Sequence, residues 1–215
     1  MRDDFTMKKL FFTLLLLIII LFSSCQNDKS IHLMIFNEDD KLFIKNFLLF
    51  KNYNIDFMDH ESYLTINNIT DDILIDLLSI LNNKIKIIQD NITNSKTTRT
   101  TDGGPYLRRI LYIDPESGPE IIKLDEVKYV YEPTHPDAIQ VGNYRGYVLY
   151  PYIDLLLEYN NLFQTVQIFN SIVSYIHNNN INIMVEKINI ISIDELKYLI
   201  RINDLLEFFI IHYYR

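Results

Sequence analysis

The sequence predicts an α+β fold: two long heptad-patterned helices pairing as a helical hairpin or coiled coil, a small β insertion between them, and a small N-terminal α/β unit. Three observations predict it. Leu74, Leu78, Leu81, Ile85, Ile88 and Ile92 recur at spacings of 4, 3, 4, 3 and 4, the seam a helix buries against another helix. Tyr159, Leu162, Val166, Phe169, Val173 and Ile176 repeat the pattern at 3, 4, 3, 4 and 3. Between the seams, turn clusters alternate with strand-like runs, so the chain loops out and returns.

The N-terminus reads as a leader over residues 1–24. Met7-Lys8-Lys9 is basic, and Leu10 to Phe22 is apolar except for Thr13. That run suits the core of a signal peptide, whereas a spanning helix needs roughly 20 residues. Leu21-Phe22-Ser23-Ser24-Cys25 resembles a bacterial lipoprotein box, which implies lipidation of Cys25 and a membrane anchor there. A plain signal peptide or an uncleaved anchor are the alternatives. Translation starts at Met1 or Met7; Arg2, Asp3 and Asp4 ahead of the basic segment favour Met7. Cys25 is the single cysteine, so no intrachain disulfide is possible.

Residues 25–70 form the predicted α/β unit. Ile31 to Phe36 is a short strand, and Asn37-Glu38-Asp39-Asp40 caps a helix through Leu42, Phe43, Ile44, Phe47 and Leu48. Ile55 to Met58 and Ser62 to Ile66 are strands joined by Asp59-His60-Glu61. Residues 71–178 are the next unit: helix, β insertion over 104–151, helix. Thr70 supplies a hydroxyl cap and Asp71-Asp72 acids in the first turn, so a helix runs from Asp71 to about Thr93. Gly103-Gly104 permits positive φ, Pro105 fixes the backbone after it, and the chain leaves this elbow extended.

Leu107 to Ile113 and Val127 to Tyr131 read as strands, separated by the turn cluster Asp114 to Pro119. A second rigid turn spans Glu132 to Asp137. Residues 179–215 are a strand–helix tail: Ile181, Ile183 and Val185 alternate, Ser192-Ile193-Asp194-Glu195 matches a capping box, and Phe208 to Tyr214 is apolar and aromatic.

A formal charge of −8 argues against a nucleic-acid partner, because phosphate binding needs a basic face. The motifs hold no nucleophile–base pair, phosphate-cradling loop or metal-ligand cluster, so the reading is non-enzymatic, with no cofactor and no metal. His135 between Pro133, Pro136 and Asp137 reads as part of a turn, as does His60. Arg99, Arg108 and Arg109 suit contacts to a neighbouring subunit. Asn68-Ile69-Thr70 and Asn91-Ile92-Thr93 match glycan sequons, a common coincidence in an Asn-rich chain.

The run Asp90 to Arg109, DNITNSKTTRTTDGGPYLRR, resembles the signature of the flagellar proximal-rod protein family, the FlgC type. The motif positions are Asn91, Asn94, Thr97, Thr98, Arg99, Thr100, Asp102, Gly103, Gly104, Pro105 and Tyr106. A second block, with Pro133, His135, Pro136 and Asp137, resembles the family's Y-D-P-G-H-P-D-A. Gly146, Tyr147, Tyr150 and Pro151 resemble its G-Y-V-x-Y-P before the final helix. The likeness covers about Asp71 to Ile176. Thr134 departs from a glycine of the family pattern and Tyr152 from an asparagine; the leader, residues 25–70 and the tail have no place in the usual short rod subunit. The leader and the strand–helix–strand–strand–helix order also resemble the lipoprotein ring subunits of type III secretion basal bodies.

The resemblance implies a structural subunit of the flagellar basal-body rod, oligomeric in the assembly. Its partners would be other rod subunits and the basal-body ring, and its location the basal body, periplasmic and lipid-anchored through Cys25. The mechanism expected is mutual burial of the heptad seams. The alternative is a periplasmic lipoprotein using a rod-like domain as a binding module for basal-body or secretion-ring components.

Overall fold

The structure is a computed structural model that describes residues 29–35 and 37–183. The expected leader, Cys25 and the tail from residue 184 onward lie outside the described residues. In chain order the elements are β1 (Ile31–Met34), α1 (Glu38–Phe50), β2 (Phe57–Asp59), β3 (Tyr63–Ile66), α2 (Asp71–Thr93), β4 (Arg108–Asp114), β5 (Gly118–Leu124), β6 (Val127–Tyr131), β7 (Ile139–Val141), β8 (Tyr144–Pro151) and α3 (Leu155–Asn178). The described strands make three antiparallel sheets: β1-β3-β2, the hairpin β4-β5, and β6-β8-β7.

Each helix begins at a side chain that takes an otherwise orphaned backbone N–H. Asn37 accepts from the Asp40 amide at 2.6 Å, Thr70 from the Ile73 amide at 3.4 Å, and Asp154 from the Leu156 and Leu157 amides at 3.0 and 3.2 Å. Acids fill the first turns of α1 and α2, where they complement the helix dipole.

One apolar core joins most of these elements. Ile31 and Leu33 of β1, Ile44 and Leu48 of α1, and Leu64 and Ile66 of β3 are buried with Leu74, Leu78, Leu81, Ile85 and Ile88 of α2 and Leu162, Val166 and Phe169 of α3. Burying each such side chain contributes about 1.5–3 kcal/mol. Lys41, also buried, anchors the β2–β3 turn from below: its ammonium donates to the His60 carbonyl at 2.6 Å and pairs with Glu38 at 2.7 Å.

The expected fold class is not the one that forms. In place of a two-helix coiled coil with a small insertion, the described residues build three helices and eight strands in three antiparallel sheets. α2 and α3 pack on each other, but α2 also packs on β4, and α3 on β1. The reason is the width of the apolar stripe. Besides Leu74, Leu78, Leu81, Ile85 and Ile88, α2 buries Ile73, Leu77, Ile80 and Ile87. A coiled-coil seam uses only a narrow stripe, and a face this broad belongs to a globular core. On α3, Leu162, Val166 and Phe169 are buried, Tyr159 and Ile176 half-buried, and Val173 is 40% exposed, so that seam is interrupted as well.

Candidate functional site

The residues singled out by their sequence pattern converge where α2 ends, the chain turns, and α3 begins. Asn91, on the last turns of α2, is buried and uses all of its hydrogen-bonding capacity. Its amide nitrogen donates to the Arg109 carbonyl at 2.8 Å and to Glu158 Oε2 at 3.1 Å. Its oxygen accepts from the Tyr106 hydroxyl and the Arg109 amide, both at 2.9 Å. One side chain thereby ties α2 to the elbow, to β4 and to α3.

Glu158 completes this joint from α3. Only 1% of its surface is exposed, and Arg108 Nε meets Oε1 at 2.6 Å. Arg109 donates from Nε to the Tyr106 hydroxyl at 2.9 Å and reaches Asp90 at 3.0 Å. Burial raises the Tyr106 pKa, against the opposing pull of Arg109. The hydrogen bond to Tyr106 raises that of Arg109. Both shifts hold the phenol neutral and the guanidinium charged. A buried carboxylate needs such partners; removing one from a buried pair costs about 3–5 kcal/mol.

The elbow is built from backbone bonds and two glycines. Asn94 caps α2, its amide nitrogens donating to the Asp90 carbonyl, while its side-chain oxygen accepts from the Thr97 hydroxyl at 3.1 Å. Thr97 O accepts from the Tyr106 amide at 3.0 Å, and Thr100 N donates to Gly104 O at 2.8 Å. Gly103 and Gly104 lie at φ +86° and +74°, where an L side chain is strained. Asp102 is exposed on the tip, and Pro105 leads into buried Tyr106.

The second block folds back onto the first. The Thr98 hydroxyl donates to Asp137 Oδ2 and Arg99 pairs with Oδ1, each at 2.8 Å. The Asp137 amide donates to His135 Nδ1 at 3.1 Å. Tyr150 of β8 donates to Glu132 at 2.9 Å, a bond that raises its pKa. Pro133 rests on Gly146, where an added Cβ would come within 2.8 Å of the proline ring. Pro136 is exposed, Pro151 stands opposite Val127, and Tyr147 stands opposite Tyr131.

The structure thus brings Asn91, Asn94, Thr97, Thr98, Thr100, Tyr106 and Asp137 into one joint, while the heptad positions lie along the helices behind it. Glu158 was missed by sequence reasoning; its one signal is a carboxylate between Leu157 and Tyr159 at the start of an apolar helix. Among the described residues no group of three His, Cys, Asp or Glu is arranged to hold a metal. The joint's chemistry is mechanical: directional bonds tie the end of α2 to the elbow, to β4 and to the start of α3, and Asp137 ties the elbow to the turn that follows β6.

No family model matches the chain. It is similar to the flagellar basal-body rod protein FlgC of Borreliella burgdorferi strain B31. The two are 34% identical across a 99-residue alignment that takes in 35% of this chain and 65% of the relative. The chain therefore spans just under two thirds of that relative's length.

Proposed function

We propose that the chain is a structural, non-enzymatic subunit of the bacterial flagellar basal-body rod, held at the periplasmic membrane surface through Cys25. The observation that carries this reading is the joint itself. Two sequence blocks some 40 residues apart, both resembling rod-family signatures, meet through Thr98, Arg99 and Asp137. A subunit of a rigid axle needs a fixed angle between its helices and its projecting sheet, and this joint supplies one. The elements would fall into the four parts 1–24, 25–70, 71–178 and 179–215.

The mechanism differs from zipping heptad seams between subunits. Leu74, Leu81, Leu162 and Phe169 are buried within the single chain, so neighbours must meet other surfaces. That same burial favours a second reading: a periplasmic lipoprotein whose rod-like domain serves as a binding module for basal-body or secretion-ring components and does not polymerise. Quantitative mass spectrometry of purified basal bodies separates the two. Several copies per basal body, with a diacylglyceryl group on Cys25, are expected; absence from basal bodies would overturn the rod reading.

A further inference from the structure

Between α1, α2, β4 and the start of α3 lies a cavity of about 410 Å³, inside the range of about 300–1,000 Å³ usual for small-molecule sites. Phe43 and Ile88 give it apolar walls, and Lys84, Arg108 and Asn161 bring polar groups to it.

β4 forms one wall with a strand edge that is only partly met. Backbone groups of an antiparallel strand point by turns toward and away from the partner strand. Those of Arg109 and Ile113 point away from β5, and side chains meet them. Asn91 takes both the amide and the carbonyl of Arg109, and Asn46 donates to the Ile113 carbonyl at 3.1 Å. Leu111, midway on the same edge, lines the cavity, and its amide and carbonyl have no such partner among the described residues. One backbone donor and one backbone acceptor are thus offered to whatever enters.

The charged groups around the cavity are unevenly satisfied. Both oxygens of buried Asp40 are taken, by Lys84 and by the side-chain amide of Asn37. Both oxygens of Glu158 are taken, by Arg108 and Asn91. The two cations keep donors in reserve. Lys84 gives Asp40 one of the three N–H groups of an ammonium, and its nitrogen rests 4.4 Å from the centre of the Phe43 ring. Arg108 gives Glu158 its Nε–H, which leaves both Nη groups over. Their side chains are 18% and 20% exposed. Asp39, the remaining acid of the lining, stands out in water, and Arg109 is engaged by Tyr106 and Asp90. The unmet capacity of the charged groups is therefore donor in kind, and a guanidinium fork matches the geometry of a carboxylate.

We propose that this cavity binds a carboxylate standing next to a peptide amide, the chemistry shared by a peptide C-terminus and an N-acylated amino acid. The carboxylate accepts from the Arg108 Nη groups and the Lys84 ammonium. The adjoining amide pairs with the Leu111 backbone as an added strand residue does. A carboxylate alone leaves Leu111 unmet, and an amide alone leaves the two cations unmet. Such a site stands whether or not the chain builds a rod.

Titration of the isotope-labelled full chain with N-acetylglycine, followed by proton–nitrogen correlation NMR, tests it. The Leu111 amide and Arg108 Nε–H signals are expected to shift and saturate. N-acetylglycinamide, which lacks the charge, and acetate, which lacks the amide, should each bind about tenfold more weakly. Arg108→Lys keeps a cation beside Glu158 but removes the fork, and should weaken N-acetylglycine by about tenfold. Asn161→Phe fills the cavity from α3 without breaking a side-chain bond among the described residues; it should abolish binding, and it carries the test if Arg108→Lys melts below the wild type. Tighter binding of N-acetyl-triglycine than of N-acetylglycine would assign the ligand to a peptide end, and equal binding to a free acylated acid. Absence of a saturable shift, equal affinity for N-acetylglycine and its amide, inorganic phosphate binding as tightly, or shifts that survive Asn161→Phe would each overturn the site.

Discussion

The two ends of the molecule are held by different forces. Around the first sheet, Ile31, Leu33, Ile44, Leu48, Leu64 and Ile66 are buried, and the attraction is apolar and non-directional. At the elbow, Asn91, Tyr106, Arg108 and Glu158 meet through hydrogen bonds of 2.6–3.1 Å, and Val148 is the third sheet's one fully buried large side chain, outside the main core. Apolar burial makes a body; directional bonds set an angle. A part that must stand at a defined orientation on a rigid body needs the second kind.

The largest expected effect comes from charging the apolar end. Leu81→Asp places an unpaired carboxylate at a site with no solvent access, and should cost more than about 4 kcal/mol. Loss of the cooperative thermal transition by circular dichroism would show it, across the whole chain and not at one end.

Breaking the joint should cost somewhat less and act locally. Arg108→Ala strands the buried Glu158 carboxylate, at about 3–5 kcal/mol. Asn91→Ala leaves the Tyr106 hydroxyl and the Arg109 backbone without their partner, at about 2–3 kcal/mol. Urea titrations of both variants would measure these, and a smaller loss in Arg108→Ala than in Asn91→Ala would reverse the ranking.

Asp137→Ala is smaller still. Arg99 is 69% exposed, so the ion pair contributes little in water, and the Thr98 bond dominates a loss of about 1 kcal/mol. Its mark should be in the chemical shifts of Thr98 and the 132–138 turn.

The least effect is one of pH, near the apolar end. Tyr53 donates to Asp76 at 2.8 Å, and burial first, then that bond, raises its pKa to about 12. The folded state therefore favours the neutral phenol. The contribution is complete below pH 10 and is lost as pH rises from 10 through about 12. Tyr53→Phe should flatten the stability curve in that window; an unchanged slope would contradict the assignment.

How much of this was legible in the sequence varies by element. α2 was visible from its Thr70 cap to Thr93, because cap, first-turn acids and periodicity agree. β6 was visible from alternation. β5 was not, since Pro119 and the preceding turn formers mask a strand that starts on the turn itself, and β7 is too short to show a period. The coiled coil was misread because 3–4 spacing reports one buried side without revealing whether a helix or a mixed core covers it. The motif residues could be named from resemblance. Asn91 as a hub and Glu158 as its partner could not, because they are 67 positions apart and meet only after the chain reverses.

Native-state hydrogen exchange on wild type and Asn91→Ala tests the central claim most directly, that a polar joint holds the elbow and the start of β4 independently of the apolar core. The amides of Tyr106 and Arg109 should lose protection in the variant by tenfold or more, while those around Leu77 and Leu81 keep theirs. Uniform loss along the whole of α2, or no change at the elbow, would contradict it.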